Sequence, residues 1–295
     1  MTIDIAKETI GRAVEVADGF WIVATRHHPG GSQMFGDVNN RCLVFRVADQ
    51  GTPVLLVING VAPTAIDEVK RIERETGLDV RYILSAGGGH HVLLPPWVDA
   101  FTKAEVMVGP TRIPRTANGR KLLAMPRVST FDPDAILPQL KGQVELLSFR
   151  GLVGAPDYHS PGEGGHDGFR MMMTMMISMM FRMKDPVDEL WTFHVPTGTL
   201  IGGENLGWMY PADAHKALPK MLKGMIKPDR VYVFTDGRKV GDRKVVDACW
   251  RAVLQWPAKT VLTYHDPAGH GFHGDGRAAI EKAVRDSGQL LSSRH

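Results

Sequence analysis

A short run of strand-forming residues, Val80 to Leu84, ends in Ser85-Ala86-Gly87-Gly88-Gly89-His90-His91. No other junction constrains the fold of this chain as strongly. Apolar and β-branched residues bounded by turn formers read as a buried strand. Three consecutive glycines then free the backbone to bend, so that an imidazole entering behind them can point inward.

The flanking segments extend the pattern. Phe20 to Ala24, Cys42 to Val47 and Val54 to Ile58 read as strands, the last two joined by the turn Gln50-Gly51-Thr52-Pro53. Their alternation is weak, as expected of strands covered on both faces. Ala65 to Thr76 carries Ile66, Val69 and Ile72 at helical spacing and is stopped by Gly77. A short helix at Trp97 to Phe101 and a strand at Glu105 to Val108 follow. The second half repeats this rhythm, with strands near Val144 to Leu147, Glu189 to Phe193, Thr199 to Ile201, Arg230 to Phe234 and Thr260 to Tyr264. Helices are expected near Asp213 to Met225, Asp242 to Gln255 and Arg277 to Ser287. Hairpins followed by βαβ units predict mixed sheets with helices outside. Two such halves without a long linker predict an α/β (α+β) protein, a four-layer αββα sandwich forming one domain over residues 1–295.

Bulk properties narrow the function classes. With 43% hydrophobic residues, the 295-residue chain can bury a substantial core. A formal charge of +3, with basic and acidic residues interspersed, gives no nucleic-acid footprint. The two cysteines, Cys42 and Cys249, are far apart and fit free thiols in a reducing compartment. The N-terminus lacks an apolar signal region, and the longest apolar run is too short to span a bilayer. The expectation is a soluble cytoplasmic protein without membrane or nucleic-acid partners.

Four stretches, taken in order, resemble the metallo-β-lactamase fold. Val54-Leu55-Leu56-Val57-Ile58-Asn59-Gly60 is similar to that fold's strand ending in Ile-Asp-x-Gly, with Asn59 in place of aspartate. Ile83 to His91 resembles its strand Ile-Leu-Thr leading into His-x-His-x-Asp-His. Ala86 and Gly88 replace the first two histidines, His90 replaces the aspartate, and His91 keeps the last histidine. Thr199-Leu200-Ile201-Gly202-Gly203-Glu204 is similar to Leu-Phe-x-Gly-Asp, with Glu204 as the acid. Val261-Leu262-Thr263-Tyr264-His265 resembles the strand leading to the last ligand histidine. The branch most similar is domain of unknown function 4336, whose His-His pair precedes apolar residues and a tryptophan, as in His90-His91-Val92-Leu93-Leu94-Pro95-Pro96-Trp97.

The resemblance implies one divalent metal ion (zinc, iron or manganese) held by His91, Glu204 and His265, with His90 as a further nitrogen ligand or a general base. With two ligands replaced, a two-metal site is not expected. A further histidine should precede the strand pair ending at Glu204. His194 fails on geometry: in a hairpin turned at Pro196-Thr197-Gly198 it lies roughly 20 Å from Glu204 at ~3.3 Å per residue. His166, or alternatively His159, in Tyr158-His159-Ser160-Pro161-Gly162-Glu163-Gly164-Gly165-His166 meets the requirement. Asp266 is a candidate acid or base at the pocket mouth. Glu163, Asp167, His270 and His273 are either further such groups or solvated loop residues, and His27 and His28 are either a substrate-facing loop or surface.

Met171 to Met183 contains eight of the 15 methionines, a Met-rich insertion near residues 169–184 of helical length and apolar nearly all round. It reads as a buried helix, a homodimer contact, or the wall of a pocket for an apolar or aromatic small-molecule substrate. The functional expectation is a metal-dependent hydrolase-like enzyme. Its alternatives are a non-hydrolytic iron enzyme on the same scaffold and a metal-free binding protein.

Overall fold

The computed structural model describes residues 2–27, 38–60, 64–87, 90–154, 185–207, 209–217, 227–233 and 238–289. His28, His159, Glu163, His166, Asp167 and the methionine segment lie outside the described residues, as does the side chain of His27.

Thirteen strands among the described residues form two sheets. The first contains β1 (Ala13–Ala17), β2 (Phe20–His27), β3 (Val38–Asp49), β4 (Thr52–Ile58), β5 (Val80–Leu84), β6 (Glu105–Val108) and β7 (Val128–Thr130), side by side in that order. Pairings are antiparallel through β4 and parallel from β4 to β7. The parallel steps need crossovers, supplied by α1 (Thr64–Thr76), α2 (Pro95–Ala100) and α3 (Ala117–Leu123). The second sheet contains β8 (Val144–Gly154), β9 (Asp185–His194), β10 (Thr199–Gly202), β11 (Arg238–Val240), β12 (Thr260–Thr263) and β13 (Phe272–His273), in the order β11-β8-β9-β10-β12-β13. Only β10 and β12 run parallel within it. The remaining helices are α4 (Ala212–Ala217), α5 (Arg243–Val253) and α6 (Gly276–Ser287).

Side-chain alternation distributes the apolar residues over three layers of core. Leu43 and Phe45 of β3 and Leu56 and Ile58 of β4 meet Leu190, Ile201 and Leu262 of the second sheet. Their neighbours Cys42, Val44, Leu55 and Val57 face the opposite way, onto Ile66, Val69 and Ile72 of α1 and Trp97 of α2. Leu200 and Val261 likewise pack against Trp250 of α5 and Ile280 of α6. Each such side chain contributes ~1.5–3 kcal/mol on burial. This is the expected αββα arrangement, and it explains the weak alternation: both faces of each sheet are covered.

Local chemistry sets the helix ends. Asp242 caps α5 by accepting from the backbone of Lys244 and Val245, and Asp275 caps α6 through Ala278. Gly77, at φ 70°, closes α1.

Three expectations change. Ala13–Ala17, given no element by the sequence reading, is a strand paired with β2. The proposed strand at Arg230 to Phe234 is reduced, among its described residues, to a single bridge between Leu206 and Val233. Val231, Tyr232 and Val233 are nevertheless buried, so the apolar run reflects packing rather than a ladder. Of the helix expected over Asp213 to Met225, the described part ends at Ala217.

Candidate metal centre

Four strand ends open at one edge of the sandwich. Asn59 follows β4, His90 follows β5, Glu204 follows β10 and His265 follows β12. Because β4 and β5 are parallel, and β10 and β12 are parallel, the carboxyl ends within each pair lie side by side.

His90, Glu204 and His265 converge there. One ligand atom from each lies within 4.8 Å of the others. His90 Nε2 is 2.7 Å and His265 Nε2 3.6 Å from the same oxygen, Glu204 Oε1. The two rings are 5.2 Å apart at 60°. The side chains are 11%, 9% and 29% exposed for His90, His265 and Glu204, so the acid is the most open to solvent. Burial alone would raise the Glu204 carboxyl, but the bonds and charge of His265 and His90 hold it well below the usual carboxylate range.

The far nitrogen of each ring is already committed. His265 Nδ1 lies 2.8 Å from the Asn39 carbonyl, which can only accept, so that nitrogen carries the proton. His90 Nδ1 meets Asn59 Oδ1, while Asn59 Nδ2 donates to the Arg41 carbonyl at 2.8 Å. With each Nδ1 engaged elsewhere, each Nε2 faces a carboxylate that is itself only an acceptor. A positive charge must sit among them, as a proton or a cation. Two imidazoles and one carboxylate, with their outer nitrogens hydrogen-bonded, are a donor set that fits a divalent metal.

The structure separates the two adjacent histidines. His90–Leu93 is a turn of 3₁₀ helix, with about three residues per turn, so neighbouring side chains diverge by roughly 120°. His90 reaches the cluster. His91 is 1% exposed, with Nε2 3.3 Å from Thr116 Oγ1 beside the start of α3, and is not part of the cluster. The missing histidine positions are also accounted for in part. Ala86 is buried in the core between the sheets, and its carbonyl accepts from Leu190 N at 2.8 Å, joining the loop to the second sheet.

Asp266 is not at a pocket mouth. It is fully buried, accepting from Thr263 N and Oγ1, Met209 N and Arg41 Nη1. The tight turn after β12 directs it into the protein, where burial pushes its carboxyl up against the opposing effect of Arg41. His194 is where the hairpin reasoning put it: His194 pairs with Thr199, at the far end of β10 from Glu204. It packs on Phe20 and Phe45 and hydrogen-bonds Thr197 at 2.8 Å. His270 is exposed; its backbone N–H donates to the Pro267 carbonyl at 3.0 Å and its own carbonyl accepts from Arg41. His273 pairs with Thr260, at the end of β12 remote from His265.

Asn39, Arg41 and Asn59 support the site without having been expected there. Arg41 is fully buried between Glu8 and Asp266, with contacts of 2.8 and 3.1 Å. Burial opposes its charge, but the two carboxylates outweigh burial and raise its pKa. Two sequence traits mark these residues: Asn39-Asn40-Arg41 is a polar triplet opening an apolar strand, and Asn59-Gly60 is a turn dipeptide. Asn59 adopts φ 63°. Gly60 permits close packing, since a Cβ there would lie 2.9 Å from the Trp97 ring.

No family model and no curated protein matches the sequence. Solved structures do resemble the fold. A metallo-β-lactamase from Erythrobacter litoralis is 14% identical, with 94% of this chain and 96% of that chain covered at a TM-score of 0.52. The DIM-1 metallo-β-lactamase is 10% identical, with 95% and 99% covered at 0.55. A β-lactamase domain protein from Burkholderia ambifaria is 14% identical, with 96% and 76% covered at 0.51. Identities this low speak for architecture alone. Joined to the two-sheet topology and the cluster at its open edge, they establish that this chain has the metallo-β-lactamase fold.

Proposed function

We propose that the protein is a metal-dependent hydrolase with a mononuclear centre held by His90, Glu204 and His265. The convergence of His90 Nε2 and His265 Nε2 on Glu204 Oε1, with both Nδ1 atoms committed elsewhere, carries this reading. A divalent cation bound there supplies Lewis acidity and lowers the pKa of water. The chain's own residues do the rest. The imidazoles supply neutral nitrogen donors, Glu204 offsets charge, and three protein ligands leave room for water and a substrate carbonyl. Ester, lactone or amide substrates fit this chemistry, and the composition of the methionine segment favours small apolar or aromatic ones. The buried free thiols Cys42 and Cys249 agree with a cytoplasmic location. Among the described residues, no helix is long and apolar enough to cross a membrane.

The test is metal analysis of the purified chain together with turnover of generic aryl esters and lactones. One equivalent of zinc or manganese and chelator-sensitive hydrolysis are expected. Both should be lost in His90→Ala, Glu204→Gln and His265→Ala, and metal should be retained in His91→Ala. Absence of metal after reconstitution would leave a ligand-binding protein instead. The two-histidine, one-carboxylate donor set specifically favours a second reading, mononuclear iron chemistry. One equivalent of iron with oxygen consumption and no hydrolysis would select it. The methionine segment also makes a homodimer part of the proposal, and light scattering of the purified chain reports it.

A further inference from the structure

Two residues at the start of β3, Asn39 and Arg41, reach both histidines or their supports. The Asn39 carbonyl accepts from His265 Nδ1. The Arg41 carbonyl accepts from Asn59 Nδ2 at 2.8 Å, and Asn59 Oδ1 faces His90 Nδ1. The Arg41 N–H donates to the Tyr264 carbonyl at 2.9 Å, one residue before His265. Its guanidinium binds the Thr263, Pro267 and His270 carbonyls at 3.0, 3.1 and 2.6 Å. The segment thus grips the His265 loop directly and reaches His90 through a single amide.

We propose that Asn59 is a positioning residue which, pinned by the Arg41 carbonyl, holds His90 with its proton on Nδ1 and its Nε2 turned toward Glu204 and the metal centre. The argument is one of donors and acceptors. A primary amide has one accepting and one donating end, and left loose it can turn either toward an imidazole. The Arg41 carbonyl accepts only, so it fixes which end of Asn59 is which. The oxygen is thereby presented to His90, and Nδ1 must donate. An aspartate would need no such pinning, because both of its ends accept. The left-handed backbone of Asn59, at φ 63°, aims the short side chain between two strands; asparagine is among the few residues other than glycine that adopt this conformation readily. Asn59 is completely buried, so water does not compete for either end. With Asn39 doing the same for His265, one strand segment sets the tautomer of both rings before any cation arrives. Groups that orient a metal ligand in this way are worth roughly 10- to 100-fold in metal affinity.

The inference rests on the metal reading only in its affinity arm, so the experiment has two arms. Asn59→Gly removes the amide and keeps a residue at ease with positive φ. Asn59→Asp keeps an acceptor oxygen toward His90 and gives up the bond to Arg41. In the metal-free full-length protein labelled with ¹⁵N-histidine, the wild type should show an exchange-protected Nδ1–H for His90. N59G should lose it and N59D should retain it. Zn(II), titrated alone against a chromophoric chelator, should bind N59G roughly 10- to 100-fold more weakly, with affinity recovered in N59D. A wild-type His90 with a bare Nδ1, or an N59G protein matching wild type in both arms, overturns the proposal. If N59G fails to fold, loss of the protected proton in N59D overturns it equally. Protected protons without any Zn(II) uptake would support the positioning role and sink the metal centre.

Discussion

His194 offers a measurable consequence of burying an imidazole without a charged partner. It is 4% exposed, lies against Phe20 and Phe45, and hydrogen-bonds only the neutral Thr197 among its described contacts. Burial lowers its pKa to about 4. An unfolded histidine titrates near 6.5. Between these values the unfolded chain binds a proton that the folded protein refuses, so stability falls as pH falls. At ~1.4 kcal/mol per pH unit, the loss is ~2 kcal/mol between pH 7.5 and pH 5, and ~3 kcal/mol by pH 4. Above pH 7 the contribution is flat. Other groups add their own acid dependence, so the informative quantity is a difference. Urea unfolding of the wild type and of His194→Gln should be measured from pH 4.5 to 8. The wild type should lose stability relative to the variant by ~2 kcal/mol at pH 5. A difference independent of pH would refute the claim that His194 is held neutral by burial. On the proposed metal reading, the same variant should take up Zn(II) as the wild type does, because His194 sits at the end of β10 remote from Glu204.

Two further outcomes follow from packing. Arg41→Met leaves Glu8 and Asp266 buried without their cation and should cost at least ~3–5 kcal/mol in urea unfolding, the range for breaking a buried pair; a loss below ~1 kcal/mol would show that the network relaxes or hydrates. Gly119→Ala would drive a methyl group into the Ile113 carbonyl at the start of α3, so a loss of ~1–3 kcal/mol is expected by thermal or urea unfolding, whereas an unchanged midpoint would mean the turn can open freely.

Much of the architecture was legible in the chain. Val80–Leu84 and Glu105–Val108 were predicted with the bounds observed, and α1 was predicted to within a residue, because buried strands and an amphipathic helix leave strong patterns. The hairpin that separates His194 from Glu204 followed from strand length and its turn alone. Short elements were not legible. β7 has three residues and β13 two, too few to show any period. Tyr232 and Val233 read as a strand because burial and strand pairing draw on the same residue types. Resemblance to the branch called domain of unknown function 4336 rests on its His-His motif.

The candidate site divides along the same line. Sequence placed Glu204 and His265 at strand ends and offered two adjacent histidines after β5. It set His91 ahead of His90 as the ligand, whereas the structure brings His90 to Glu204, because the choice depends on rotation within one 3₁₀ turn: about 120° separates a side chain facing Glu204 from one facing Thr116. Nor could it assign Asp266, whose direction is set by Arg41, 225 residues away. Residue order alone determined which strands form and how their apolar faces alternate, since those are periodic properties of local chain. Which imidazole meets the carboxylate, and which nitrogen it offers, was decided only when Asn39, Arg41 and Asn59 were brought against the loops. Hydrogen-bond partnerships between distant segments have no period to read.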